Sequence, residues 1–362
     1  MLATSETASA VALALCPGFC KLVRARRGCA RTLAHHVIVK CFSSKTQKLL
    51  SIESKLSKRT QRRKDQIRRR NTACLHNRQM PATNKDIEGE VSTYYSSDKT
   101  GNAYKTCWGD GNIHFGYFAH LEHDSKPKTG FEKAAEALTE LMIETGEISK
   151  GAKVLDLGSG YGKPGCDVAT KSQAEVWGVD LSGRQVDAAN ARAKSMGLDN
   201  LAHFVKGSFT DLPKEISEQE GTFTHVWAQV SWCHAHGVVD EILKEASKSL
   251  KKGGKLVVND FLGTDEKVLD KTKEHVWKRL HFDALLGPNA WKKKVEEAGF
   301  EIKQYVDLTK HLQHGYALLA EAADKHKFKS EDGALLADNY KVSSEVCREG
   351  QIGMNLCIAI KT

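Results

Sequence analysis

The sequence predicts a doubly wound α/β fold on a seven-stranded, mostly parallel sheet. Three observations carry that expectation. From residue 154 onward short apolar runs alternate with amphipathic stretches of helical period, the pattern of a parallel sheet wrapped by helices. The run "VLDLGSGYGKPG" (154–165) sets glycines at 158, 160 and 162 directly behind a strand, where backbone N–H groups and a helix N-terminus can face a ligand. An acid, Asp180, ends the second apolar run, where it can accept the hydroxyls of a ribose bound across the sheet.

Taken in order, "KVLDLG" (153–158) reads as the first strand, "EVWGVD" (175–180) as the second and "AHFVKG" (202–207) as the third. "FTHVWAQ" (223–229) supplies the fourth, and "GKLVVNDF" (254–261) the fifth after a Lys-Lys-Gly-Gly turn. The stretch 182–197 opens on a serine suited to capping and closes on glycine, with alanine-rich helix formers between. A second amphipathic stretch, 238–254, precedes strand five. "FEIKQYVDL" (300–308) and "MNLCIAIK" (354–361) are closing strands, the last one expected antiparallel.

Charge divides the chain. Residues 1–80 hold 18 Lys and Arg against three Asp and Glu, so that of 54 basic and 45 acidic residues in all, 36 and 42 fall in the remainder. The overall +9 therefore belongs to a leader, and the body is net acidic. Three readings of that leader stand side by side: an organelle transit peptide for mitochondrion or plastid, a solvated nucleic-acid-binding arm around "SKRTQRRKDQIRRR" (57–70), or an extension upstream of a protein start at Met80. Without a transit peptide the cytoplasm is the expected compartment. No apolar run reaches the roughly 20 residues of a membrane span. The ten cysteines are scattered, as in reduced intracellular proteins. Cys233, His234 and His236 crowd within four residues with no second cluster, so no metal site is expected.

The cofactor contacts expected from these patterns are Asp156, Gly158, Gly160, Gly162, Asp180, Ser208, Phe209 and Gln229; Phe209, in the turn after strand three, can lie against an adenine. The loop "WAQVSWCHAHG" (227–237) follows strand four at the carboxyl end of the sheet, the best place for acceptor chemistry, and contributes Ser231 and His234. Tyr94, Trp108 and His114 complete the acceptor set. The aromatic faces of Tyr94, Tyr95, Trp108 and Tyr117 suit a cationic group.

The stretch 153–261 resembles the class I S-adenosylmethionine-dependent methyltransferases: "DLGSGYG", the strand-two acid, the "GSF" turn and "LKKGGKLVVND". The flanks 94–118 and 279–301 are similar to the glycine/sarcosine/dimethylglycine N-methyltransferases that make betaine. The resemblance implies S-adenosyl-L-methionine as cofactor, a Rossmann-like core and a small-molecule methyl acceptor. It divides the chain into the leader 1–80, an aromatic cap or lid 81–150, a cofactor-binding core 151–262, and a substrate region with closing strands 263–362. It also implies that 94–118 folds over the cofactor.

The first function this implies is N-methylation of sarcosine or dimethylglycine toward glycine betaine, an osmolyte. The chain departs from that group at 229–230, where betaine-type enzymes often carry Gln-Asp and this sequence has Gln229-Val230. Valine cannot attract an amine. S-methylation of a thioether such as 4-methylthio-2-hydroxybutyrate, toward dimethylsulfoniopropionate, is therefore the alternative. Phosphoethanolamine and tocopherol-type acceptors stand behind these. A carboxylate on the acceptor has Arg279, His281, His311 and His314 as candidate partners. A nucleic-acid methyltransferase is disfavoured by the acidic body and by the lack of an Asn/Asp-Pro-Pro-aromatic run after strand four.

Overall fold

The computed structural model describes residues 88–89, 111–123, 126, 128–282, 284–329 and 335–362. The chain divides into two units, Met1–Pro81 and Ala82–Thr362, and every described residue lies in the second. Its centre is a seven-stranded sheet of order β3-β2-β1-β4-β5-β7-β6. β1 (Lys153–Leu157), β2 (Glu175–Asp180), β3 (Ala202–Lys206), β4 (Phe223–Gln229) and β5 (Leu250–Leu262) pair in parallel. β7 (Gly353–Lys361) runs antiparallel between β5 and β6 (Phe300–Asp307), as the sequence predicts for a closing strand.

Among the described residues the helices of ten or more residues are, in chain order, α1 (Phe131–Gly146), α2 (Lys163–Ser172), α3 (Gly183–Ser195), α4 (Val239–Ser249), α5 (Pro288–Glu297), α6 (Thr309–His326) and α7 (Leu336–Arg348). Each sits where local chemistry starts and stops it. Ser182 caps α3 by accepting the Gln185 N–H at 3.4 Å, and Gly197 (φ +68°) follows its last turn. Pro164 occupies the first turn of α2, where its missing N–H costs nothing.

Apolar clusters pack on the two faces of the sheet. One joins α1, α2, α3 and the α6–α7 pair to residues such as Leu138, Phe204, Trp227 and Tyr316; the other joins α4 and α5 to Leu155, Trp232, Leu256 and Trp291. Burial on both faces explains why the parallel strands read as near-continuous apolar runs rather than alternating ones. β5 begins earlier than the sequence predicts. Leu250–Leu262 is one strand, and the Lys-Lys-Gly-Gly segment is an irregularity in its pairing with β4, between Phe223 and His225, with Gly253 at φ +71°. Among the described residues no helix is long and apolar enough to cross a membrane.

Candidate active site

The carboxyl ends of β1, β2, β3 and β4 bring most of the expected residues to one rim. After β1, Gly158, Gly160 and Gly162 all have positive φ (+96°, +52° and +73°). Their reasons differ. A Cβ on Gly158 would stand 2.3 Å from the Ser231 Cβ, and one on Gly162 would stand 2.6 Å from the Ala189 Cβ, so these two are glycines because protein presses on them. At Gly160 the nearest atoms are the Ile113 Cδ1 at 3.4 Å and the Gln185 Nε2 at 3.9 Å; here alone the loop leaves room beside its backbone.

Asp180 ties this loop to the start of α3. One carboxylate oxygen accepts the Gly160 N–H at 2.9 Å and the other accepts the Ser182 N–H at 2.9 Å. Burial raises its pKa and these two N–H donors pull the other way. Asp156, buried at the end of β1, has its pKa pushed up to about 8, first by burial and then by the neighbouring Asp180 charge. After β3, the Ser208 hydroxyl donates to Glu88 Oε1 at 2.6 Å and lies 2.8 Å from the Thr210 hydroxyl, while Phe209 packs, part-buried, against the core beside it. Ser208 is thus tied to the segment ahead of the sheet.

Gln229, at the end of β4, is buried and held between two groups. Its Nε2 lies 3.2 Å from the Thr139 Oγ1 and 3.2 Å from the His114 Nδ1. A neutral ring can satisfy only one of its two Nδ1 neighbours: as N–H it donates to the Phe115 carbonyl at 2.8 Å, and as a lone pair it accepts from the Gln229 Nε2. Burial lowers the His114 pKa to about 4, so the ring is neutral. Among the described residues the His114 Nε2 has no hydrogen-bond partner, and the buried Ser159 Oγ and Gln185 Nε2 have none either. A loop with room at Gly160, an acid at the strand-two end and these orphaned polar atoms fit a polar nucleoside ligand with an amino-acid tail.

The next loop is bent. Val230 is β-branched yet sits at φ +55°, a left-handed conformation that costs roughly 1–3 kcal/mol and is held only by surrounding bonds. Its N–H donates to the Asn259 carbonyl at 2.7 Å, and the Ser231 hydroxyl donates to the Leu157 carbonyl at 2.6 Å. Ser231 therefore packs on the glycine loop, and His234 turns away to a small pocket of about 20 Å³. Ile113, Phe115, Val230, His234, Phe261, Arg279, Leu280, Phe282, Tyr316 and Tyr340 line it. Burial, then the neighbouring His281, lowers the His234 pKa to about 4. The Arg279 guanidinium lies 5.0 Å from the Tyr340 ring centre and 5.8 Å from that of Tyr316, and its Nη2 donates to the Ser343 hydroxyl at 3.2 Å. Among the described residues no Asp or Glu lines it.

Of the expected acceptor residues, Ser231 and His234 lie on this loop, and His114 reaches it through Gln229; Tyr94, Tyr95 and Trp108 fall outside the described residues. Arg279 lines the pocket. His311 and His314 do other work. His311 accepts the Phe118 N–H at 3.0 Å and donates to Glu122 at 2.8 Å, and His314 packs edge-on to Phe118, so both pin the segment ahead of α1. His236 accepts the Leu286 N–H at 3.0 Å and stacks on Trp291, away from the Phe282 ring that His234 meets. Thr139, Phe261, Tyr316 and Tyr340 belong to the site without a signal in the sequence: apolar helix and strand positions of this kind read as ordinary core.

The pattern of a family described as a methyltransferase domain matches residues 148–330. A sarcosine/dimethylglycine N-methyltransferase of Halorhodospira halochloris is 28% identical over 65% of this chain and 80% of its own length. The (+)-O-methylkolavelool synthase of Herpetosiphon aurantiacus is 32% identical over 64% of this chain and 77% of its own. Among solved structures, a geranyl diphosphate C-methyltransferase from Streptomyces coelicolor A3(2), in complex with Mg2+, geranyl diphosphate and S-adenosyl-L-homocysteine, superposes with a TM-score of 0.62. It is 18% identical and covers 78% of this chain and 100% of that one.

Proposed function

Because the chain belongs to the methyltransferase-domain family and is an S-adenosylmethionine-dependent enzyme, we propose that it methylates the thioether sulfur of a small carboxylate-bearing metabolite such as 4-methylthio-2-hydroxybutyrate. Bound at the rim, S-adenosylmethionine supplies a methyl group on a cationic sulfur, open to in-line displacement. Asp180 would accept the ribose hydroxyls, Phe209 would flank the adenine, and Ser159 and Gln185 would meet the amino-acid tail beside Gly160. The sulfur lone pair of the acceptor forms the new C–S bond as the donor C–S bond breaks, and no proton has to leave. The work left to the chain is to align the two sulfurs and exclude water.

One observation carries the choice of acceptor: the described lining of the pocket joins one permanent cation, Arg279, and a neutral imidazole, His234, to a wall of aromatic rings. A neutral nucleophile suits such a wall, and the carboxylate of an acceptor would face the Arg279 guanidinium. The faces of Phe115, Phe261, Phe282, Tyr316 and Tyr340 suit the sulfonium that forms. A dimethylglycine ammonium, in contrast, must lose its proton before its nitrogen can attack.

The second reading, N-methylation of sarcosine or dimethylglycine toward betaine, is favoured by the carboxylate those amines carry, which would face Arg279 just as that of a thioether acid would. It also agrees with the named activity of the Halorhodospira relative. Purified protein with labelled donor, assayed against 4-methylthio-2-hydroxybutyrate, dimethylglycine, sarcosine and phosphoethanolamine, separates the two. The sulfur reading expects the thioether to exceed either amine at least tenfold in kcat/KM. Preference for the amines overturns it in favour of the second reading.

A further inference from the structure

The loop between β4 and α4 hangs on the last residues of β5. Asp260 is fully buried, in a strand whose inner half is otherwise apolar apart from its neighbour Asn259. Its Oδ2 accepts the Trp232 N–H at 2.7 Å and the Cys233 N–H at 3.0 Å, the Cys233 thiol donates to the same carboxylate, and Oδ1 accepts the Phe261 N–H at 2.7 Å. Among the described residues no Lys or Arg pairs with it. The strand end that carries Asp260 is itself fixed from β7: the Asp260 N–H donates to the Asn355 Oδ1 at 3.3 Å, and the Asn259 Nδ2 to the Asn355 carbonyl at 2.6 Å.

We propose that Asp260 is a positioning residue for methyl transfer, its carboxylate gripping the Trp232 and Cys233 amides so that Val230 stays in its left-handed conformation and Val230 and His234 form the acceptor-side wall. The inference rests on reading the pocket beside this loop as the acceptor site. The geometry leads to it in two steps. A β-branched residue at φ +55° relaxes toward negative φ unless its flanks are tied. Here the tie before it is the Val230 N–H to Asn259, and the ties after it are the two amides taken by Asp260. A neutral buried amide could not do the same: Asn has one accepting end, so either the loop amides or the Phe261 N–H would face an NH₂ group.

The test compares wild type, Asp260→Asn, Val230→Gly and the double variant. For Asp260→Asn, hydrogen exchange at the Trp232 and Cys233 amides should quicken at least tenfold, and kcat/KM for 4-methylthio-2-hydroxybutyrate should fall at least tenfold. The Kd for S-adenosylhomocysteine by calorimetry should move less than threefold. Glycine accepts φ +55° without strain, so in the Val230→Gly background the same Asp260→Asn change should cost less than threefold in kcat/KM. Should Asp260→Asn alone fail to fold, the double variant should fold. Unchanged exchange at 232–233, an equal loss in both backgrounds, or a double variant that stays unfolded overturns the proposal. If wild type does not turn over the thioether, the acceptor reading fails by itself, and the exchange measurements still decide the role of Asp260.

Discussion

Alanine placed at Gly160 and at Gly158, two residues apart in one loop, should fail in different ways. At Gly160 the new methyl meets protein no closer than 3.4 Å, and the backbone at φ +52° lies in the left-handed basin that a non-glycine residue enters for roughly 1–2 kcal/mol. For a folded unit of this size that lowers Tm by roughly 2–8 °C. The fold should survive. The donor site should suffer, because the methyl fills the space beside the loop; an overpacking cost of roughly 1–3 kcal/mol corresponds to a Kd for S-adenosylhomocysteine weakened roughly 5- to 150-fold.

At Gly158 the methyl would lie 2.3 Å from the Ser231 Cβ and 2.8 Å from its Oγ, with the third neighbour at an acceptable 3.7 Å. Loop and neighbour must then part, and both stability and binding should drop together. Ser231→Gly removes both offending atoms, at a cost of about 1 kcal/mol for the lost bond to the Leu157 carbonyl, so Gly158→Ala/Ser231→Gly should be more stable than Gly158→Ala alone. Scanning calorimetry and ligand titration read all four proteins. Wild-type affinity in Gly160→Ala would refute the placement of the donor against this loop, and failure of Ser231→Gly to rescue would refute the loop-to-loop contact.

Two further outcomes follow from the same geometry. Arg279→Met keeps an apolar stem against Tyr316 and Tyr340 but removes the charge; KM for a carboxylate-bearing acceptor should rise roughly 10- to 100-fold, with the donor Kd unchanged, and steady-state kinetics checks it. His225 lies far from the rim, bonded to the Gly146 carbonyl at 3.1 Å, and burial lowers its pKa to about 4 from an ordinary 6.5. Its contribution to stability is therefore present above pH 6.5 and is lost as pH falls toward 4, where the unfolded chain holds a proton that the folded chain refuses. Replacing it by Gln should flatten the loss of stability across that window, by up to about 3 kcal/mol at pH 4; a denaturant series from pH 4 to 7 showing the wild-type slope would count against it.

How much of this was legible depended on what each residue answers to. β4 was readable to its last residue, because its apolar run is bounded by a glycine-threonine turn and by the polar Gln229. The capping serine of α3 and the antiparallel β7 were readable for similar local reasons. The start of β5 was not: a Lys-Lys-Gly-Gly sequence states a bend, and only the pairing with β4 decides that the bend lies inside a strand. The glycine loop was legible as a loop, yet the demand at Gly158 and Gly162 comes from Ser231 and Ala189, distant in the chain or one helix away. Asp260 could have been noticed as an acid inside an apolar strand, but its partners are amides, which carry no side-chain signature.

In the proposed arrangement, donor and acceptor would be brought into register by contact between two loops rather than by either loop alone. Ser231 is the shared part: its hydroxyl holds the Leu157 carbonyl, its Cβ occupies the space that Gly158 vacates, and its neighbour Val230 lines the pocket proposed for the acceptor. A displacement of the β4 loop should therefore move the acceptor wall while pressing on the backbone that faces the donor. In-line transfer is intolerant of a shift of about 1 Å. That intolerance gives a physical reason for a strained valine here: a residue locked at φ +55° between the Asn259 carbonyl and the Asp260 carboxylate has one available conformation, and a loop with one conformation holds two substrates at one distance.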